Sequence, residues 1–197
     1  MATLAAPRAR SPYSRVSIAL HWVIAFLILG NLGGGLAFDW MLNNPDPELR
    51  QAAFQGIQVH KAAGLTILAL SLVRLLVRLR EGFPVLPDHM KRWERVLARV
   101  THFGFYGLMI GMPLAGWLMV SASPLNFPTS HFGLFDVPHL PVPQSAAIAG
   151  AANSAHAIGG YTFLVLIALH VAGALKHHLI DRDDVLTRMI PFLRPRG

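Results

Sequence analysis

The sequence predicts an all-α membrane protein: an antiparallel bundle of four transmembrane helices with both termini in the cytoplasm. Three observations carry that expectation. Hydrophobic residues fill 53% of the 197 positions and charged residues only 14%, against about 25% charged in soluble domains. Four long apolar runs contain no Asp or Glu. The basic residues gather at one set of run ends, as topology signals do.

A helix needs about 20 apolar residues to cross a bilayer, and each run is long enough. The first covers about residues 16–38, VSIALHWVIAFLILGNLGGGLAF. Arg8, Arg10 and Arg15 precede it, as in a signal peptide. A cleavable signal has an apolar region of only about 7–15 residues, so this run is expected to be retained. The second run covers about 53–77, the third about 96–121 and the fourth about 154–180. A soluble four-helix bundle would need polar outer faces, and these runs are apolar nearly all round. The outer loop, 122–153, carries Pro124, Pro128, Pro138, Pro141 and Pro143. It is expected to lack regular structure, to cover the outer end of the bundle and to turn His131 and His139 to solvent. The whole chain, 1–197, reads as one domain.

Four spans place both termini on one side. Of the 17 Lys and Arg residues, only Arg50 and Lys61 fall on the other. The positive-inside rule then puts the termini of this multi-pass chain in the cytoplasm. The outer side sets those two cations against Asp39, Asp46, Glu48 and Asp136. The formal charge of +7 is thereby explained by topology, and no nucleic-acid partner is expected.

Histidine carries the chemistry. The chain has no cysteine, which excludes iron–sulfur ligation, disulfides and covalent c-type haem attachment. Alternating helix direction converts sequence position into depth. His21 then lies near the inner face and His60 near the outer. On the fourth span His156 lies near the outer face, and His170 lies about 21 Å further in, only about 40° away in azimuth. Depth sorts these four into an outer pair, His60 and His156, and an inner pair, His21 and His170. Zinc usually wants four ligands, or three with an open position, and di-iron bundles need inward carboxylates. Bis-histidine haem needs one imidazole on each side of the ring, and full axial ligation suits electron transfer. The residues four beyond these histidines are Ala25, Gly64, Gly160 and Ala174, small enough to leave room for a porphyrin. A non-haem proton or metal transporter is the competing class, disfavoured by the lack of intramembrane carboxylates. His102 in the third span lies near the inner level and reads as a hydrogen-bonding residue. Arg74 and Arg78 end the second span as candidate contacts for inner haem propionates.

The segments YSRVSIALHW, VHKAAGLTILALSLVRLLVRLR, HFGFYGLMIGMPLAGWLM and HAIGGYTFLVLIALHVAGALKHHLIDRDDVLTRMIP together resemble the bacterial cytochrome b561 family. That resemblance implies two non-covalent b haems, with His60 and His156 ligating the periplasmic one and His21 and His170 the cytoplasmic one. It implies electron transfer between a small periplasmic donor and the quinone pool, with ubiquinone as acceptor and superoxide oxidase activity as one form. On the same grounds the His177 of KHH is a candidate quinone contact. Lys61, beside His60, is a candidate contact for superoxide or a propionate. The alternative within the family is a cytochrome b subunit serving a partner dehydrogenase or hydrogenase.

Overall fold

The computed structural model describes residues 13–82, 86, 87 and 89–193. Arg8 and Arg10 lie outside the described residues. The elements are α1 (Arg15–Leu42), α2 (Pro47–Glu81), α3 (Arg92–Ala122), β1 (Thr129–His131), β2 (Phe135–Val137) and α4 (Ala146–Lys176), the last continuing into a π-helical turn at His177–Asp181. Among the described residues four helices are long and apolar enough to cross a membrane.

Local chemistry sets the ends of these helices. The Ser14 hydroxyl accepts from Ser17 N at 3.1 Å, and Asp46 accepts from Glu48 N at 2.8 Å with Pro47 following as the first helical residue. Both satisfy amides that the first turn leaves without helical partners. Gly82 ends α2 at φ 78°, a conformation that costs little only for glycine. Each helix runs past its apolar segment by several residues because caps, not the bilayer, decide where the backbone stops.

Helix α1 packs chiefly on α2 and α3 on α4, with a lighter seam between α2 and α3. The buried cluster of Ile24, Ile28, Ile67, Met109 and Phe163 fills the centre. Ile67 lies seven residues beyond His60, and Phe163 lies seven from both His156 and His170. The core is therefore an apolar band between two histidine levels. Outward-facing Phe26, Phe103 and Ile158 are each about two-thirds exposed, which suits a lipid boundary and not water.

Tight seams run close to this core. A Cβ added at Gly159 would run into the thioether of Met112. Gly159→Val is expected to destabilise the bundle by about 1–3 kcal/mol through overpacking, read as a lower midpoint of helix loss on heating in detergent. An unchanged midpoint would show that Met112 moves aside freely.

The outer loop differs from the sequence expectation. It contains an antiparallel hairpin pairing Thr129 with Val137 and His131 with Phe135. Phe132 and Gly133 turn it at φ 51° and 74°, a primed turn that matches strand twist. Pro128 ties the hairpin to α2, its carbonyl accepting from Lys61 Nζ at 2.7 Å and Gln58 Nε2 at 3.3 Å. His131 stacks on Phe135 and lines a cleft of about 390 Å³ against Leu65, Thr66 and Leu70. It is half-buried, as is His139. The prolines interrupt pairing outside the hairpin but not within it, since none lies between Thr129 and Val137.

Candidate functional site

At the outer level, His60 on α2 faces His156 on α4 with ring centroids 6.0 Å apart. His60 Nδ1 bonds the Asn31 carbonyl at 3.1 Å, and His156 Nδ1 bonds the Met112 carbonyl at 3.0 Å. A carbonyl can only accept, so each Nδ1 carries the hydrogen and each Nε2 keeps a lone pair. This arrangement fixes the ring and tautomer of a metal-ligating histidine. Two glycines make the fit close. A Cβ at Gly35 would stand 3.3 Å from the His60 ring, and one at Gly116 would stand 3.2 Å from the His156 ring.

At the inner level, His21 on α1 and His170 on α4 have centroids 6.2 Å apart. His170 also meets Phe105 at 5.3 Å and His102 at 5.5 Å. The ring of His102 is anchored to its own helix, with Nδ1 bonding the Ala98 carbonyl at 2.6 Å. Each pair draws one imidazole from the α1–α2 half and one from the α3–α4 half.

Haem can be tested against this donor set. A metal–imidazole bond of about 2 Å, with the ring centre roughly 1.1 Å behind the nitrogen, puts trans imidazole centroids about 6 Å apart. Both observed separations match, the outer rings present lone pairs, and among the described residues the groups of metal donors include no carboxylate at either level. The residues fit the group. Two trans imidazoles would leave no axial position for oxygen, so the arrangement favours electron transfer over oxygen chemistry.

The remaining predicted residues are placed as follows. Arg74 donates from Nη1 to the Ser17 carbonyl at 2.9 Å, one turn from His21. Arg78 lies 5.2 Å over the Tyr13 ring, a cation–π geometry. Lys61 holds the outer loop through Pro128. His177 is buried, with Nδ1 at 2.8 Å from Asp183 and 3.1 Å from Asp181. Lys176 bridges Glu94 and Asp181.

Sequence reasoning missed Gly35 and Gly116, looking for small residues one turn beyond each ligand. A Cβ at Gly64 would instead stand 3.7 Å from the side chain of Asn31, and one at Gly160 3.9 Å from that of Met112, the residues whose carbonyls hold the two rings. The glycine run at Gly33, Gly34 and Gly35 was a usable signal, because consecutive glycines in a membrane helix mark close approach.

The family profile described as prokaryotic cytochrome b561 matches residues 12–192. The chain is 32% identical over 180 residues to cytochrome b561 homolog 2 of Escherichia coli strain K12, covering 90% of each. It is 27% identical over 184 residues to a probable superoxide oxidase, CybB, of Yersinia pestis, covering 91% of this chain and 96% of that one. Cytochrome b562 of Cereibacter sphaeroides is 28% identical over 188 residues, covering 93% and 96%. With four membrane-length helices, histidines matched across the bundle and a profile spanning nearly its whole length, this chain belongs to the prokaryotic cytochrome b561 family, haem b electron carriers of bacterial membranes.

Proposed function

We propose that this single-domain chain holds two b haems, one between His60 and His156 near the periplasm and one between His21 and His170 near the cytoplasm, and passes single electrons from a periplasmic donor to a quinone at the inner face. The observation that carries this reading is the pair of 6.0 and 6.2 Å imidazole separations at opposite ends of the bundle. The charge asymmetry supports cytoplasmic termini and an inner-membrane location.

Each bound haem supplies a one-electron couple. The chain's own residues hold, separate and address the two levels. The Asn31 and Met112 carbonyls keep the outer imidazoles oriented and strengthen them as ligands. The apolar band around Ile67 and Phe163 keeps water out between the levels. Arg74 and Arg78 are the partners we assign to the propionates of the inner haem. His177 is the hydrogen-bond partner for a quinone carbonyl, and quinone reduction draws its protons from the cytoplasmic side.

Superoxide is the proposed donor: it loses one electron and leaves as dioxygen. One relative bears the name probable superoxide oxidase, and Lys61 supplies a cation near the outer pair to attract an anion. In stopped-flow mixing of the purified oxidised protein with superoxide, the haem bands are expected to reduce faster than in His156→Ala. Equal rates would remove superoxide as donor and leave a carrier subunit for a dehydrogenase or hydrogenase.

A further inference from the structure

At the inner end of the bundle, away from both histidine levels, a second set of donors converges from separate segments. His89 comes from the α2–α3 connection, His177 and Asp181 from the π-helical turn, and Asp183 from just beyond it. One ligand atom from each lies within 4.8 Å of all the others. His177 Nδ1 stands 2.8 Å from Asp183 Oδ2 and 3.1 Å from Asp181 Oδ2, and His89 Nε2 stands 3.1 Å from the same Asp183 oxygen.

The charge on Asp183 makes this more than a surface cluster. Its side chain is only 6% exposed. Its other oxygen accepts from Val185 N at 3.0 Å, and among the described residues no lysine or arginine pairs with it. The nearby cation, Lys176, is spent on Asp181 and Glu94. Buried carboxylates are paired with cations or coordinate metals. Two imidazole nitrogens and two carboxylate oxygens form a donor set for a divalent first-row metal, zinc above all. Tetrahedral ligands about 2.0–2.2 Å from zinc stand about 3.4 Å from one another, so the four atoms need move only slightly.

We propose that His89, His177, Asp181 and Asp183 form a binding site for a divalent transition metal, with zinc the preferred ion. The metal neutralises the buried carboxylate of Asp183 and clips His89 to the turn that follows α4. It holds the π-helical turn in register. The site is independent of the haem ligands; it shares His177 with the quinone reading and engages that residue through Nδ1.

The test uses the full-length, haem-loaded, tag-free protein in detergent, stripped with a chelator and titrated with zinc chloride by calorimetry. One zinc per chain is expected, with micromolar or tighter affinity. His89→Ala is expected to weaken binding at least tenfold with the haem spectrum unchanged, since its exposed ring contributes a ligand and little packing. Asp183→Asn is expected to abolish binding, and the same haem spectrum checks that it has folded. No saturable zinc, or affinity unchanged in His89→Ala, overturns the proposal even if Asp183→Asn fails to fold.

Discussion

Replacing His60 with alanine is expected to cut the haem content of the purified protein from two per chain to one, and His156→Ala is expected to do the same. The two rings lie 6.0 Å apart, so either substitution leaves one imidazole facing a gap. Losing the second axial ligand removes much of what holds a non-covalent haem and opens the site to water. The fold should survive. Ile24, Ile28, Ile67, Met109 and Phe163 form the core, and neither substitution removes one of them. Each change also frees one backbone carbonyl, at Asn31 or Met112, a loss of about 1 kcal/mol. Pyridine haemochrome content against protein mass reads the stoichiometry, and a redox titration should lose one of its two steps. Both variants should keep the same remaining step, because both empty the same level. Two haems retained in either variant would refute the pair. A different surviving step in each would show that His60 and His156 serve different haems.

The agreement between sequence and structure follows from what a membrane demands. Lipid forces every backbone polar group into helices, so apolar length alone located α1 to α4. Helix rise then converted the fourteen steps from His156 to His170 into depth, and depth suffices to match His60 with one and His21 with the other. The parts that were not legible depend on chain that leaves the helices. The hairpin from Thr129 to Val137 is six paired residues among prolines, too short for periodicity to register. Its Phe132, at φ 51°, breaks a preference that would have argued against a turn there. The meeting of His89 with Asp183, ninety-four residues apart, joins two segments that lie outside the four spans. Nothing in local pattern encodes that. Gly35 and Gly116 lay within reach of sequence reasoning, but only the packing shows which ring each one faces.

At the inner level His170 has two imidazole neighbours, and only one can be its trans partner. His102 is the nearer by centroid, 5.5 Å against 6.2 Å for His21. Nearness is the wrong criterion, because two imidazoles that hold one metal between them would need about 6 Å between ring centres. His102 lies on α3, packed against the same α4 that carries His170. Its Nδ1 is bound to its own helix at Ala98, whereas the Nδ1 atoms of His60 and His156 are each held by a carbonyl of a different helix. His21 approaches from α1, across the space between the two helix pairs, as His60 does at the outer level. His21→Ala is therefore expected to abolish the inner haem and leave the outer one intact. His102→Ala is expected to retain both haems and to shift only the inner midpoint potential, because removing an imidazole beside His170 changes the local electrostatics without removing a ligand. Haem stoichiometry and redox titration on the two variants separate the roles. The reverse pattern, with two haems in His21→Ala and one in His102→Ala, would move the ligand to α3. It would also mean that the inner haem lies against the α3–α4 pair and not between the two halves of the bundle.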